Sequence, residues 1–218
     1  MPLQNRVDPF GGIHAVDARG LFTGNRGILH DPDTRTLHNR RWTNPAWIIC
    51  VLDFQGRRRE PMGRNGRDGG AGWTELFFLD EVTALAAGHR PCFYCQRQRA
   101  KAFLAASDDE VGQQTAPALD RRLHGERLAS TARQPTIIPN DQLAGLPDGA
   151  MVADGDAAFA VREGRLMRWT FNGYAEASPP RGRALMLVTP ATSLGALMRG
   201  YEPVWHPTAS APLSHLSA

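Results

Sequence analysis

Two cysteines separated by two residues, in the run Gly88-His89-Arg90-Pro91-Cys92-Phe93-Tyr94-Cys95, constrain this chain more than any other feature. Thiols at that spacing can share one cation in a tight turn, each sulfur about 2.3 Å from a zinc ion. Pro91 stiffens the entry. A helix opening near Cys95 would turn its positive N-terminal end toward the thiolates. The same spacing also suits a redox pair or two inert thiols. A thioredoxin-like pair should follow a strand and open a long helix inside a βαβ unit, whereas this motif falls between two helical segments. Metal binding is therefore the working reading.

The flanking sequence sets the expected frame. Residues 1–45 read as irregular, punctuated by Gly11, Gly12, Gly20, Gly24 and Gly27. Trp47–Phe54 is apolar and rich in β-formers, and Trp73–Leu79 reads as a second strand antiparallel to it. The polar, glycine-rich stretch from Gly56 to Gly72 between them reads as a mobile loop. Asp80 is a good N-cap for a short helix that Gly88 ends. Gln96–Ala106 and a segment opening at Pro117 read as two further helices. Beyond residue 150, short alternating segments are separated by Asp154-Gly155 and Glu163-Gly164, which is the pattern of a β-meander. A strand at 184–188 and a helix through Met198 follow, and the last dozen residues read as frayed. The expected class is α+β, with residues 1–145 forming a metal-binding domain with a helical extension and residues 146–218 a β-rich subdomain with a C-terminal helix.

Composition bounds the function classes. The 218 residues are 42% hydrophobic and 22% charged, with a formal net charge of +3. That is ordinary for a globular protein. No apolar run approaches bilayer length, and the first residues lack the apolar stretch of a secretory signal. A cytoplasmic location is expected. Three cysteines cannot all pair, which favours metal ligation over a disulfide framework.

Residues 77–95, with their Ala86-Ala87-Gly88 and Arg90-Pro91-Cys92 steps and both cysteines, resemble the metal-binding domain of the Ada DNA-repair protein family. His89 stands where that family has an aromatic residue. The resemblance spans roughly residues 19–97. It implies an Ada-like zinc-binding fold and two further ligands upstream, after a segment matching Gly27-Ile28-Leu29. His30 falls at the first of those positions. Thr34 falls at the second and is no zinc ligand, so a fourth donor must come from elsewhere. His38 lies near and is taken with His30, Cys92 and Cys95 as the expected ligand set. Asp33 and Cys50 are alternatives, although Cys50 reads first as a small buried hydrophobe. His89 sits too close to the turn to reach the same ion and is read as orienting a neighbour or a substrate. The family's methyl transfer uses an upstream thiolate that this chain lacks, and that activity is not expected here.

Two other readings stay open. Zinc nucleobase deaminases combine His-x-Glu with Pro-Cys-x-x-Cys. This chain holds His124-Gly125-Glu126 after its cysteines, which leaves a zinc-dependent hydrolase with an open metal site as an alternative. Arg40-Arg41-Trp42 and Arg57-Arg58-Arg59 flank the first apolar strand, near Trp47 and Trp73. Arginines interleaved with aromatic rings suit phosphate contact and base stacking. The expected function is a zinc-binding module that contacts nucleic acid through Arg40, Arg41, Arg57, Arg58 and Arg59. The remaining alternative is a structural zinc with function in the C-terminal half.

Overall fold

The computed structural model describes residues 1–108, 114–132, 136–178 and 184–210. The segment expected to be irregular carries five short strands: β1 (Arg6–Val7), β2 (Ile13–His14), β3 (Phe22–Asn25), β4 (His30–Asp31) and β5 (Thr36–Leu37). They are followed by β6 (Ile48–Val51), β7 (Leu76–Phe78), helix α1 (Glu81–Ala86), β8 (Arg90–Pro91), α2 (Arg97–Ala106) and α3 (Ala116–Ala132). The rest comprises β9 (Ile137–Ile138), β10 (Met151–Asp154), β11 (Ala157–Arg162), β12 (Arg165–Thr170), β13 (Gly173–Ala177), β14 (Leu185–Leu187) and α4 (Ala191–Met198). Of the last dozen residues, Pro207–Ser210 form a 3-10 turn, and residues 211–218 lie outside the described residues.

The first sheet runs β2-β1-β7-β3-β6-β8. The two apolar strands expected to pair, β6 and β7, instead lie on either side of β3, each antiparallel to it. Gly24 permits this insertion: a methyl group there would fall 2.1 Å from the Ile48 carbonyl oxygen. Strand β8 closes the sheet, parallel to β6, with Ile48 opposite Arg90 and Ile49 opposite Pro91. Pro91 has no N–H to contribute, and an edge strand is where a sheet tolerates that.

The second sheet runs β13-β12-β11-β10-β14-β9 and contains the expected meander. It recruits Ile137–Ile138, upstream of the boundary expected at residue 145. Conversely, Ala196, Leu197 and Tyr201 belong to the first core, with Phe22, Ile49, Phe78 and Phe103. Side chains of β10 and β11 alternate between faces, as strand geometry requires. Met151, Ala158 and Ala160 pack toward α1, and Val152, Phe159 and Val161 face away from it.

Helix α1 lies between the two sheets, and all six of its residues are buried. Ala84 and Leu85 face the first core, while Val82 and Ala86 face the second. A helix buried all round must pair every polar group it carries. Asp80 caps it as expected, accepting from Thr83 N at 2.9 Å. The same carboxylate accepts from Tyr174 Oη at 3.1 Å and from His206 N at 3.0 Å. Glu81, 0% exposed, accepts from Tyr201 Oη at 2.5 Å, from Val204 N at 2.8 Å and from the Arg99 guanidinium. These two carboxylates bind residues 201–206 to α1.

The loop from Gly56 to Gly72 is tied down. Buried Glu75 accepts from Arg59 Nε at 2.6 Å and Met62 N at 2.9 Å, and Met62 is itself fully buried. A single buried carboxylate thereby gathers a segment whose own composition is too polar to pack.

Candidate metal centre

The parallel pairing of β6 with β8 builds the centre. Because Ile49 lies opposite Pro91, the residues that follow them, Cys50 on β6 and Cys92 just after β8, come side by side. The turn after β8 then returns Cys95 to them. The three sulfurs lie within 4.8 Å of one another. The Ile49 carbonyl locks the turn in place, accepting from Cys92 N at 2.9 Å and from Gln96 Nε2 at 2.9 Å. Gln96 N donates to the Cys92 carbonyl at 3.0 Å, and α2 opens at the next residue. Behind the turn, Arg90 makes a two-pronged ion pair with Asp120 of α3, both bonds at 2.8 Å.

The electrostatics of the group are those of thiols competing for one negative charge. Cys92 is held far below the usual thiol range, first by a hydrogen bond from the Cys50 thiol and then by one from Cys95. The backbone N–H groups of Cys95 and Tyr94 add to this, Tyr94 N lying 3.3 Å from Cys92 Sγ. Cys50 is driven upward by its bonds to Cys92 and Cys95 and by burial. Cys95 is pulled down by Cys50, but Cys92 and burial outweigh this and leave it raised. A cation among the sulfurs would remove the competition, since each thiolate would then face positive charge.

The structure brings Cys92 and Cys95 together, and it does not bring His30 or His38 to them. Among the described residues the group contains only the three cysteines. His30 is buried elsewhere, its ring spanning Thr74 Oγ1 at 2.7 Å and the Gly63 carbonyl at 3.4 Å. His38 is exposed, its backbone N donating to Leu29 O at 2.7 Å and its carbonyl accepting from Arg40 N at 2.8 Å. Cys50, read from sequence first as a hydrophobe and only as an alternative ligand, lies with the pair instead. Its one sequence signal was arithmetic: a third cysteine left over beside a metal-type pair.

His124 and Glu126 also stay away from the sulfurs. Glu126 accepts from Thr192 N at 3.1 Å and Thr192 Oγ1 at 2.6 Å, capping the start of α4 from a neighbouring helix. His124 meets Trp42 edge-on. The arginines expected to contact nucleic acid are put to different uses. Arg59 is committed to Glu75 and stacks on Trp73. Arg57 donates to Tyr94 Oη at 2.9 Å beside the cysteine turn. Arg40 and Arg58 are exposed. Arg41 lines a cavity with Trp47 and Arg127.

No protein-family model, curated protein or solved structure matches this chain. Among the described residues, no helix is long and apolar enough to cross a membrane.

Proposed function

We propose that this protein binds one zinc ion through Cys50, Cys92 and Cys95, with the fourth position taken by a small exchangeable ligand. The convergence of the three sulfurs supports this reading. Thiolates select soft or borderline ions, and zinc accepts three of them in a tetrahedral site. The centre lies at a sheet edge, and Cys50 and Cys95 are only half-buried, so an outside ligand has access. Metal analysis of the purified protein should give one zinc per chain, and X-ray absorption should count three sulfurs and one lighter atom. Cys92→Ser should abolish the stoichiometry. Purified protein that carries no zinc and does not take it up from zinc-supplemented buffer would refute the reading.

A nucleic-acid partner is the second reading, favoured by one surface next to the centre. Tyr94 is 62% exposed, meets Phe54 edge-on at 5.1 Å and carries Arg57 over its ring at 5.3 Å. An exposed ring beside a guanidinium suits base stacking with phosphate contact. Binding to single-stranded DNA should weaken steeply with salt and fall in Tyr94→Ala. Equal binding by that variant removes this reading and leaves the metal centre untouched.

A further inference from the structure

A cavity of about 460 Å³ lies where the C-terminal end of α1, helix α3, strand β14 and the first turn of α4 meet. Its wall is mostly apolar, with Phe10, Ala87, Met186 and Val188 among the lining side chains. A volume of that size is in the range of small-molecule sites, which combine an apolar wall with a few placed polar groups.

Two buried hydrogen-bond donors belong to this wall. Trp47 lines the cavity and is 3% exposed, and among the described residues its indole N–H has no acceptor. Arg26, itself fully buried, and Arg127 lie over the Trp47 ring at 3.9 and 4.0 Å, so the indole is held in place. Thr189 also lines the cavity and is 2% exposed. Its hydroxyl oxygen accepts from Met151 N at 2.8 Å, which leaves its O–H to donate. A buried donor without an acceptor is a standing cost to the fold, and native chains satisfy nearly all of theirs.

The charged groups on the wall do not call for an ion. Arg127 donates to the Pro45 carbonyl at 2.9 Å and to the Gly88 carbonyl, and Asp120 and Glu126 act on it from nearby. Glu126 lines the cavity, where its carboxylate repels an anion, and it is itself met by Thr192 N and Oγ1. Arg41 is exposed, so water meets its charge.

We propose that this cavity is a binding site for a neutral small molecule with an apolar body and carbonyl oxygens, a ketone, ester or lactone, that accept from Trp47 Nε1 and Thr189 Oγ1. A carbonyl oxygen accepts without bringing a hydrogen that would itself need an acceptor, as a hydroxyl or an ammonium group would. The site is separate from the cysteine centre and stands without it.

The test is a titration of the isotope-labelled full chain with acetophenone, followed by NMR on the Trp47 indole N–H resonance. Isopropenylbenzene, in which a methylene replaces the carbonyl oxygen, and benzoate, of similar shape but charged, are the comparisons. Acetophenone should move the resonance downfield and saturate with a dissociation constant of about 10 mM or tighter. Isopropenylbenzene should produce no downfield shift, and benzoate should bind at least about tenfold more weakly than acetophenone. Ala191→Phe, at an exposed position on the cavity wall, should keep the melting temperature and weaken acetophenone at least about tenfold by filling the space. The proposal is overturned by a Trp47 resonance that does not move saturably with acetophenone, by an equal shift with isopropenylbenzene, by benzoate binding as tightly as acetophenone, or by full acetophenone affinity in Ala191→Phe.

Discussion

The molecule holds two clusters of like charge, buried carboxylates at the start of α1 and arginines around Trp47, and treats them differently. At the acidic junction, Asp80 and Glu81 accept from backbone N–H groups, two tyrosine hydroxyls, Thr83 and Arg99. Around Trp47, Arg26 repels Arg41 and Arg127 and keeps one guanidinium nitrogen unbonded. Buried charge that is saturated with partners within the chain holds the fold together. The arginine cluster is met instead by the Trp47 ring, by carbonyl oxygens and by more distant acids.

That contrast can be broken in four ways. Glu81→Ala should have the largest effect. It strands Arg99 and Tyr201 and releases Val204, and removing one partner of a buried ion pair costs about 3–5 kcal/mol. Chemical denaturation would measure it, and a loss under about 1 kcal/mol would mean that the junction is not a true anchor. Asp120→Ala should cost about 3 kcal/mol by leaving Arg90 buried and unpaired. It should also loosen the turn that carries Cys92, so zinc affinity measured by competition with a chelator should fall along with stability. Arg26→Met should cost less than Glu81→Ala, about 1–2 kcal/mol, because the buried charge it removes is met by ring faces and carbonyl oxygens rather than by a direct ion pair. A loss as large as that of Glu81→Ala would place Arg26 with the anchors.

The smallest effect concerns pH. Burial raises the Asp80 carboxyl above its ordinary range, against the hydrogen bonds it accepts. The folded chain then holds that proton more tightly than the unfolded chain does. Ionising Asp80 therefore costs stability as pH rises through its folded value. The wild type should lose ground to Asp80→Asn as pH rises above the ordinary carboxyl value of about 4, as melting curves in matched buffers would show. An opposite slope would mean that hydrogen bonding dominates burial at this carboxylate.

Legibility in the sequence followed the range of the interactions. Asp80, Gly88 and the meander turns at Gly155 and Gly164 were readable because caps and turns are written in adjacent residues. In the first sheet β6 and β7 were readable as apolar runs, whereas β1, β2 and β3 were not, because at two to four residues they show no period. The Cys92–Cys95 pair is local and was legible. Cys50 enters only through the parallel register of β6 on β8, a pairing across some forty positions that no spacing rule reports. His30 lies apart from the cysteines for the converse reason: its place was inferred from a chain segment, and the fold turns its ring toward Thr74. Arg26 was hidden as well, since an arginine beside a glycine looks the same in a surface loop as in a core.

The contacts that Asp80 and Glu81 make with Tyr201, Val204 and His206 cross 120 to 126 positions of chain. While a ribosome is still threading residues 201–206 through its exit tunnel, α1 must wait with both carboxylates uncapped from that side. A chaperone that meets the nascent chain at that stage would find α1 still lacking its cover.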